Sequence, residues 1–269
     1  MTPEYYDLLP PDLKRLTDEI EKHCGFELLV KWTRNLKARG MLDHGPNSAT
    51  IHLRTLPPDR TVICHEICHA ERYLLLGVPF MQLDPPRQIN GVEGDSINAA
   101  DNLDNMIEHI IVLRDLKERF RIDKDPTHVR DDIAAHKKWP KDEFSRRCLA
   151  LCNVALVHFH FPELSSEMRT ILAAEGLTEV AQELTDSLQK SLHSKPQMIA
   201  ALVKALEIRE DEVHLRARTC RCDGFDFSRP LAEWLRDGLD RYTPEIEDRM
   251  TSNLRDQCRP PIPTENDDD

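Results

Sequence analysis

The sequence predicts an α+β fold in which a small sheet and its helices fill the first part of the chain and a mostly α-helical region follows. Short β-prone or alternating runs occur at 26–33 and 49–55, near the start. From residue 59 onward, long stretches free of Gly and Pro repeat apolar residues at three-to-four spacing. The chain also has 9 Gly against 18 Pro in 269 residues, which suits helices with defined breaks and excludes a fibrous chain.

Along the chain, Leu13, Leu16, Ile20 and Cys24 predict an amphipathic helix over 11–24, stopped by Gly25. Residues 26–33 read as a strand. A loop bearing Gly40, Gly45 and Pro46 leads to a half-buried or edge strand at 49–55, which Pro57 and Pro58 end. Asp59 caps a helix over 59–76, and Gly77 with Pro79 stops it. A connector over 77–95 precedes a second helix over 96–120, with Ile97, Leu103, Ile107, Ile110 and Ile111 on one broad side. Further helical patterns lie at 141–157, at 164–192 with a break at Gly176, and at 196–217. Residues 259–269 combine Pro with unpaired acids and read as a disordered tail. The expected organisation is a first domain over 1–125, an all-helical accessory region over 126–258, and the acidic tail.

A formal net charge of -12 gives binding to phosphate backbones no global support, so no nucleic-acid partner is expected. No basic-then-apolar leader and no apolar run near the ~18 residues of a membrane span is present. A cytoplasmic location without membrane attachment is the expectation, and the eight cysteines then read as reduced thiols.

The chemistry centres on His65-Glu66-Ile67-Cys68-His69, an H-E-x-x-H pattern inside the 59–76 helix. Histidines four apart share one helical face, so both imidazoles reach a single Zn²⁺. Glu66, next to the first of them, is placed to act as general base and then general acid. With 12 His in the chain, about 0.04 chance matches to the pattern are expected before any demand for helical context. For the third ligand the segment 102–109 is the natural source. Asp101, Asp104 and Glu108 recur on one face of the second helix, so Glu108 is the first choice. His109, Asp104, Asp101 and a cysteine are alternatives, since zinc accepts O, N or S donors. Asp104 is also placed to orient a ligating histidine.

The motif resembles that of the zincin metallopeptidases, in which a helix bears this histidine pair and a sheet edge lies beside the substrate. Arg72 and Leu75 stand where the metzincin extension needs Gly and His, and Gln88 and Ile89 where fixed-spacing gluzincins have their glutamate. Glu71 also stands where these peptidases usually have an apolar residue. The order helix, short sheet, HExxH helix, later helix with an acidic ligand is similar to the ImmA/IrrE-like peptidases over about residues 10–120. The resemblance implies a zincin-like domain, a gluzincin-like ligand set and zinc-dependent cleavage of a specific intracellular protein, a transcriptional repressor among the candidates.

Other residues have weaker claims. Tyr73, one turn after His69, and His158 with His160 are candidates for stabilising an oxyanion, with ordinary packing as the alternative. Cys220 and Cys222, two thiols in a turn, suggest a redox or metal-blocking role. Cys64, Cys68, Cys148 and Cys152 read as small packing residues. Two further readings remain beside peptide hydrolysis. One is a non-catalytic zinc-binding regulatory or protein-interaction module. The other is hydrolysis of a non-peptide amide as in deformylases, whose upstream cysteine motif is missing here.

Overall fold

The computed structural model describes residues 1–36, 38–45, 48–91, 96–123, 125–218 and 226–242. A short helix α1 (Pro3–Tyr6) and helix α2 (Pro11–Cys24) open the chain. Helix α2 buries the stripe Leu13, Leu16 and Ile20, and it ends at Gly25, whose φ of 73° lets its N–H close on the carbonyl of Glu21.

Strands β1 (Leu28–Trp32), β2 (Gly40–Gly45) and β3 (Ser48–Leu53) form a sheet in the order β1-β3-β2, with β1 parallel and β2 antiparallel to β3. Leu28, Val30, Ala49, Ile51 and Leu53 turn into the core. Strand β2 occupies part of the segment expected to be a loop. None of its residues is buried, so no apolar signal marks it, and its pairing with β3 alone makes it a strand. Leu42 pairs with Ile51 and His44 with Ala49, which puts Gly40, Leu42 and His44 on the inner face.

Helix α3 (Arg60–Ala70) follows and continues as a π-helical turn, Glu71–Leu75. Next come strand β4 (Phe80–Leu83) and a small hairpin, β5 (Gln88–Asn90) with β6 (Ser96–Asn98). Helix α4 (Ala99–Glu118) starts three residues later than the sequence suggests, because Asn98 caps it by accepting from the N–H of Ala100 at 2.9 Å.

Helices α5 (Thr127–Ala134), α6 (Glu143–His160), α7 (Ser165–Ala174), α8 (Thr178–Lys190) and α9 (Lys195–Ala205) come next, and Gly176 at φ 69° separates α7 from α8 as expected. The expectation of an all-helical region ends here. The helix read over 196–217 stops at Ala205, and Val213–Arg218 forms strand β7, followed by β8 (Asp226–Pro230) and helix α10 (Leu231–Arg236). The run V-H-L-R-A-R has period two, and Val213, Leu215 and Ala217 are buried. Strand β7 is the centre of an antiparallel sheet β4-β7-β8 in which Met81 pairs with Leu215 and Leu83 with Val213. The stretches 1–125 and 126–258, read as separate domains, therefore share a sheet, and one hydrophobic core runs from Leu9 to Tyr242. The 259–269 tail lies outside the described residues. No described helix is long and apolar enough to cross a membrane.

Glu175, just after α7, clamps the helical part together. Arg146 of α6 donates to both of its carboxylate oxygens, one at 2.8 Å, and His136 lies 2.6 Å from one of them. The Arg146 hydrogen bonds, aided by His136, hold the Glu175 carboxyl down to about 2 from an ordinary 4.5. A carboxyl depressed in the folded state stabilises the fold above its unfolded pKa, and that stabilisation is lost as pH falls through the folded value. Urea unfolding of the wild type should therefore lose stability between pH 4.5 and 2, and Glu175→Gln should be less stable at pH 6 and lose less across the same window.

Candidate metal centre

Helix α3 is fixed at its start by Asp59, which accepts from the N–H of Thr61 at 2.9 Å and from Arg39 at 2.7 Å. Ile63, Cys64, Ile67, Cys68 and Ala70 are buried along its length. Burial pushes the Cys64 thiol up to about 11 and Cys68 higher still, so both stay protonated and pack as apolar groups. Cys148 and Cys152 on α6 are pushed up in the same way by burial.

With the core face of α3 settled, His65 and His69 turn toward α4. The Nε2 atom of His65 lies 3.1 Å from Nε2 of His69 and 3.1 Å from Nε2 of His109. One ligand atom from each ring lies within 4.8 Å of the others, and among the described residues this is the group of three or more potential ligands able to hold a metal ion. A tetrahedral zinc with Zn–N bonds of about 2.0–2.1 Å has N–N edges of about 3.3 Å, close to the two 3.1 Å distances that His65 makes. The donor set suits the ion: three imidazoles, with a fourth coordination position left for solvent or substrate.

The third member of the group that could hold a metal ion is therefore His109 and not Glu108. The Glu108 side chain is fully buried and engaged elsewhere: Arg72 donates to both of its oxygens, one at 3.3 Å, and the Lys195 ammonium lies 2.8 Å from Oε1. Burial by itself would raise this carboxyl, but the charges of Lys195 and Arg72 outweigh it and hold it at about 2. The three-to-four spacing of acids that singled out Glu108 marks the charged, internally paired face of α4. Its neighbour His109, rotated about 100° around the helix, faces α3. Where a gluzincin-like set with Glu108 was expected from sequence, the potential ligands that come together are three histidines.

Asp104 does not orient a histidine directly. It accepts from the Tyr73 hydroxyl at 2.9 Å, from the N–H of Met81 at 2.8 Å and from Lys195 at 2.9 Å. Burial and the neighbouring Glu108 charge push its pKa up against the pull of Lys195. Tyr73, a sequence candidate for oxyanion stabilisation, has its hydroxyl turned to Asp104. Its ring lies nearly parallel to His69 at 6.1 Å, and to His44 of β2 at 5.4 Å. His158 and His160 sit on α6: His158 is exposed, and Nε2 of His160 meets the carbonyl of Ile110 at 3.0 Å. Neither belongs to the histidine cluster. Asp101, the remaining carboxylate alternative, is exposed near the start of α4. Cys220 and Cys222 lie outside the described residues.

Glu66 is buried, and β2 passes directly over it. A Cβ at Gly40 would come within 2.9 Å of Glu66 Oε1 and would collide with Val62, so only glycine allows the strand this close. Glu71 is held bidentately by Arg119 at 2.8 Å, tying the end of α3 to the end of α4. Sequence reasoning missed Gly40, His44, Arg72 and Lys195 as parts of the site. A lysine at the first position of a helix, where the macrodipole disfavours a cation, is the one sequence signal, and it bears on Lys195 alone.

No protein-family model matches the chain, and no curated protein or solved structure does.

Substitutions separate the two candidate third ligands. His109→Ala should lower zinc content, measured by plasma mass spectrometry after dialysis, to well below one equivalent. Glu108→Gln, which removes no ligand, should retain close to one equivalent of zinc in that measurement but unfold at lower denaturant, by about 3 kcal/mol, because it leaves Arg72 and Lys195 under-compensated in the core.

Proposed function

We propose that the protein is a zinc-dependent metallopeptidase that hydrolyses a peptide bond in a specific intracellular protein. The supporting observation is the convergence of the His65, His69 and His109 Nε2 atoms beside buried Glu66, beneath the edge strand β2. A structural site needs only ligands; a buried glutamate one residue from the first of them suits hydrolysis. Zinc held there supplies Lewis acidity toward a carbonyl and lowers the pKa of water toward about 7. Glu66 takes the proton of the attacking water and delivers it to the leaving amine.

Strand β2 pairs with β3 on one side, and its other edge offers backbone N–H and C=O groups to an extended segment. An edge strand alongside an HExxH helix is also the zincin arrangement, and the resemblance to ImmA/IrrE-like peptidases makes a transcriptional repressor a substrate to try. The chain runs along α3 from Gly40, over Glu66, to His44, beside Tyr73. A peptide aligned on that edge passes the histidine cluster.

Zinc-loaded protein incubated with a peptide library and read by mass spectrometry should yield defined cleavage products. Glu66→Gln should keep its zinc and lose about 10²–10⁴-fold in rate. Zinc-bound wild type without cleavage, together with a Glu66→Gln protein equal to wild type in the cell, would instead mark a non-catalytic zinc-binding module. Gly40→Ala should lower the rate while leaving zinc content unchanged, because the added methyl displaces Glu66 and touches no ligand.

A further inference from the structure

Lys195 stands 126 residues after His69, yet its ammonium ends among the groups that pack around the histidines. Its side chain is 1% exposed. It lies 2.9 Å from Asp104 Oδ1 and 2.8 Å from Glu108 Oε1, and 5.0 Å from the centre of the Tyr73 ring. Two of these partners adjoin the metal-binding groups: the Tyr73 ring lies parallel to His69 at 6.1 Å, and Glu108 precedes His109; Asp104 reaches them through the Tyr73 hydroxyl. Asp104 and Glu108 are one turn apart on α4, an arrangement in which like charges repel. With Arg72 on the far side of Glu108, two cations and two carboxylates close into a balanced cluster.

The placement is costly to helix α9. Lys195 is its first residue, where the unpaired N–H groups repel a cation, and burying an ammonium adds a desolvation penalty. A local rule broken in this way points to a role elsewhere in the fold.

We infer that Lys195 is a positioning residue of the metal centre: clamped between Asp104 and Glu108 and over Tyr73, it sets the register of α4 that presents His109 and the ring that backs His69. The inference rests on the reading of the histidine cluster as a metal site. It makes the later helices part of that site and places a positioning residue at the base of α9.

The test uses the full-length chain loaded with Zn²⁺ or Co²⁺. Affinity is read by competition with a chromophoric chelator and geometry by the visible bands of the cobalt form. Lys195→Met should bind zinc about 10–100-fold more weakly and shift the cobalt bands, as loss of groups that orient ligands does. Leu202→Ala, which weakens the packing of the same helix without touching the charges, should leave both readouts within twofold of wild type, as should exposed Lys204→Met. If Lys195→Met does not fold, the charge-balanced Lys195→Met/Asp104→Asn protein is measured in its place, with the same loss expected. Wild-type affinity and spectrum in the folded variant would overturn the inference and leave the metal site standing, and an equal loss in Leu202→Ala would reduce Lys195 to a packing role. A wild-type chain that takes up neither metal would overturn both the inference and the metal site.

Discussion

Asp104 and Glu108 are two carboxylates one helical turn apart inside the core, and removing them from water is unfavourable unless cations follow them in. Arg72 arrives from the π-helical turn that ends the HExxH helix, and Lys195 from the start of α9. Each is required by the other charges, because deleting any one leaves an uncompensated ion in a low dielectric. The cluster therefore fixes three elements against one another: the end of α3, the middle of α4 and the base of α9.

That fixing is what a histidine cluster needs. A metal ion tolerates little error in donor position, and His65, His69 and His109 come from two helices whose relative rotation and shift must be held within a fraction of an ångström. Apolar packing along α4 sets its distance from α3 but leaves sliding along the axis less well determined. Directional contacts remove that freedom: Arg72 on Glu108, Arg119 on Glu71, and Tyr73 on Asp104. Glu71 thus has an account in the fold. Through its bidentate pair with Arg119 it is the anchor for the far end of α4.

Strand β2 shows a second constraint, one of space. It comes close to Val62 and Glu66 of α3, and Gly40 is the residue that permits it. The sheet β4-β7-β8 works at larger scale, joining residues near position 80 to residues beyond 210, so that the helices between them close back onto α4.

The α+β character, the helix bearing His65 and His69, the amphipathic stripe of α2, and the break at Gly176 were legible in the sequence, since each is set by spacing or by a residue's own backbone preference. Strand β2 was not, as an edge strand with no buried residue has no periodic apolar signal. Nor were β7, whose alternation was lost beside the helical pattern before it, and the choice between Glu108 and His109. Adjacent residues on a helix point about 100° apart, and only the placement of α3, Arg72 and Lys195 around α4 decides which one meets the histidines. Sequence determined which residues share a face of one helix; the packing of helices that begin at residues 60, 99 and 195 decided which faces meet, because those contacts depend on distances that no local pattern encodes.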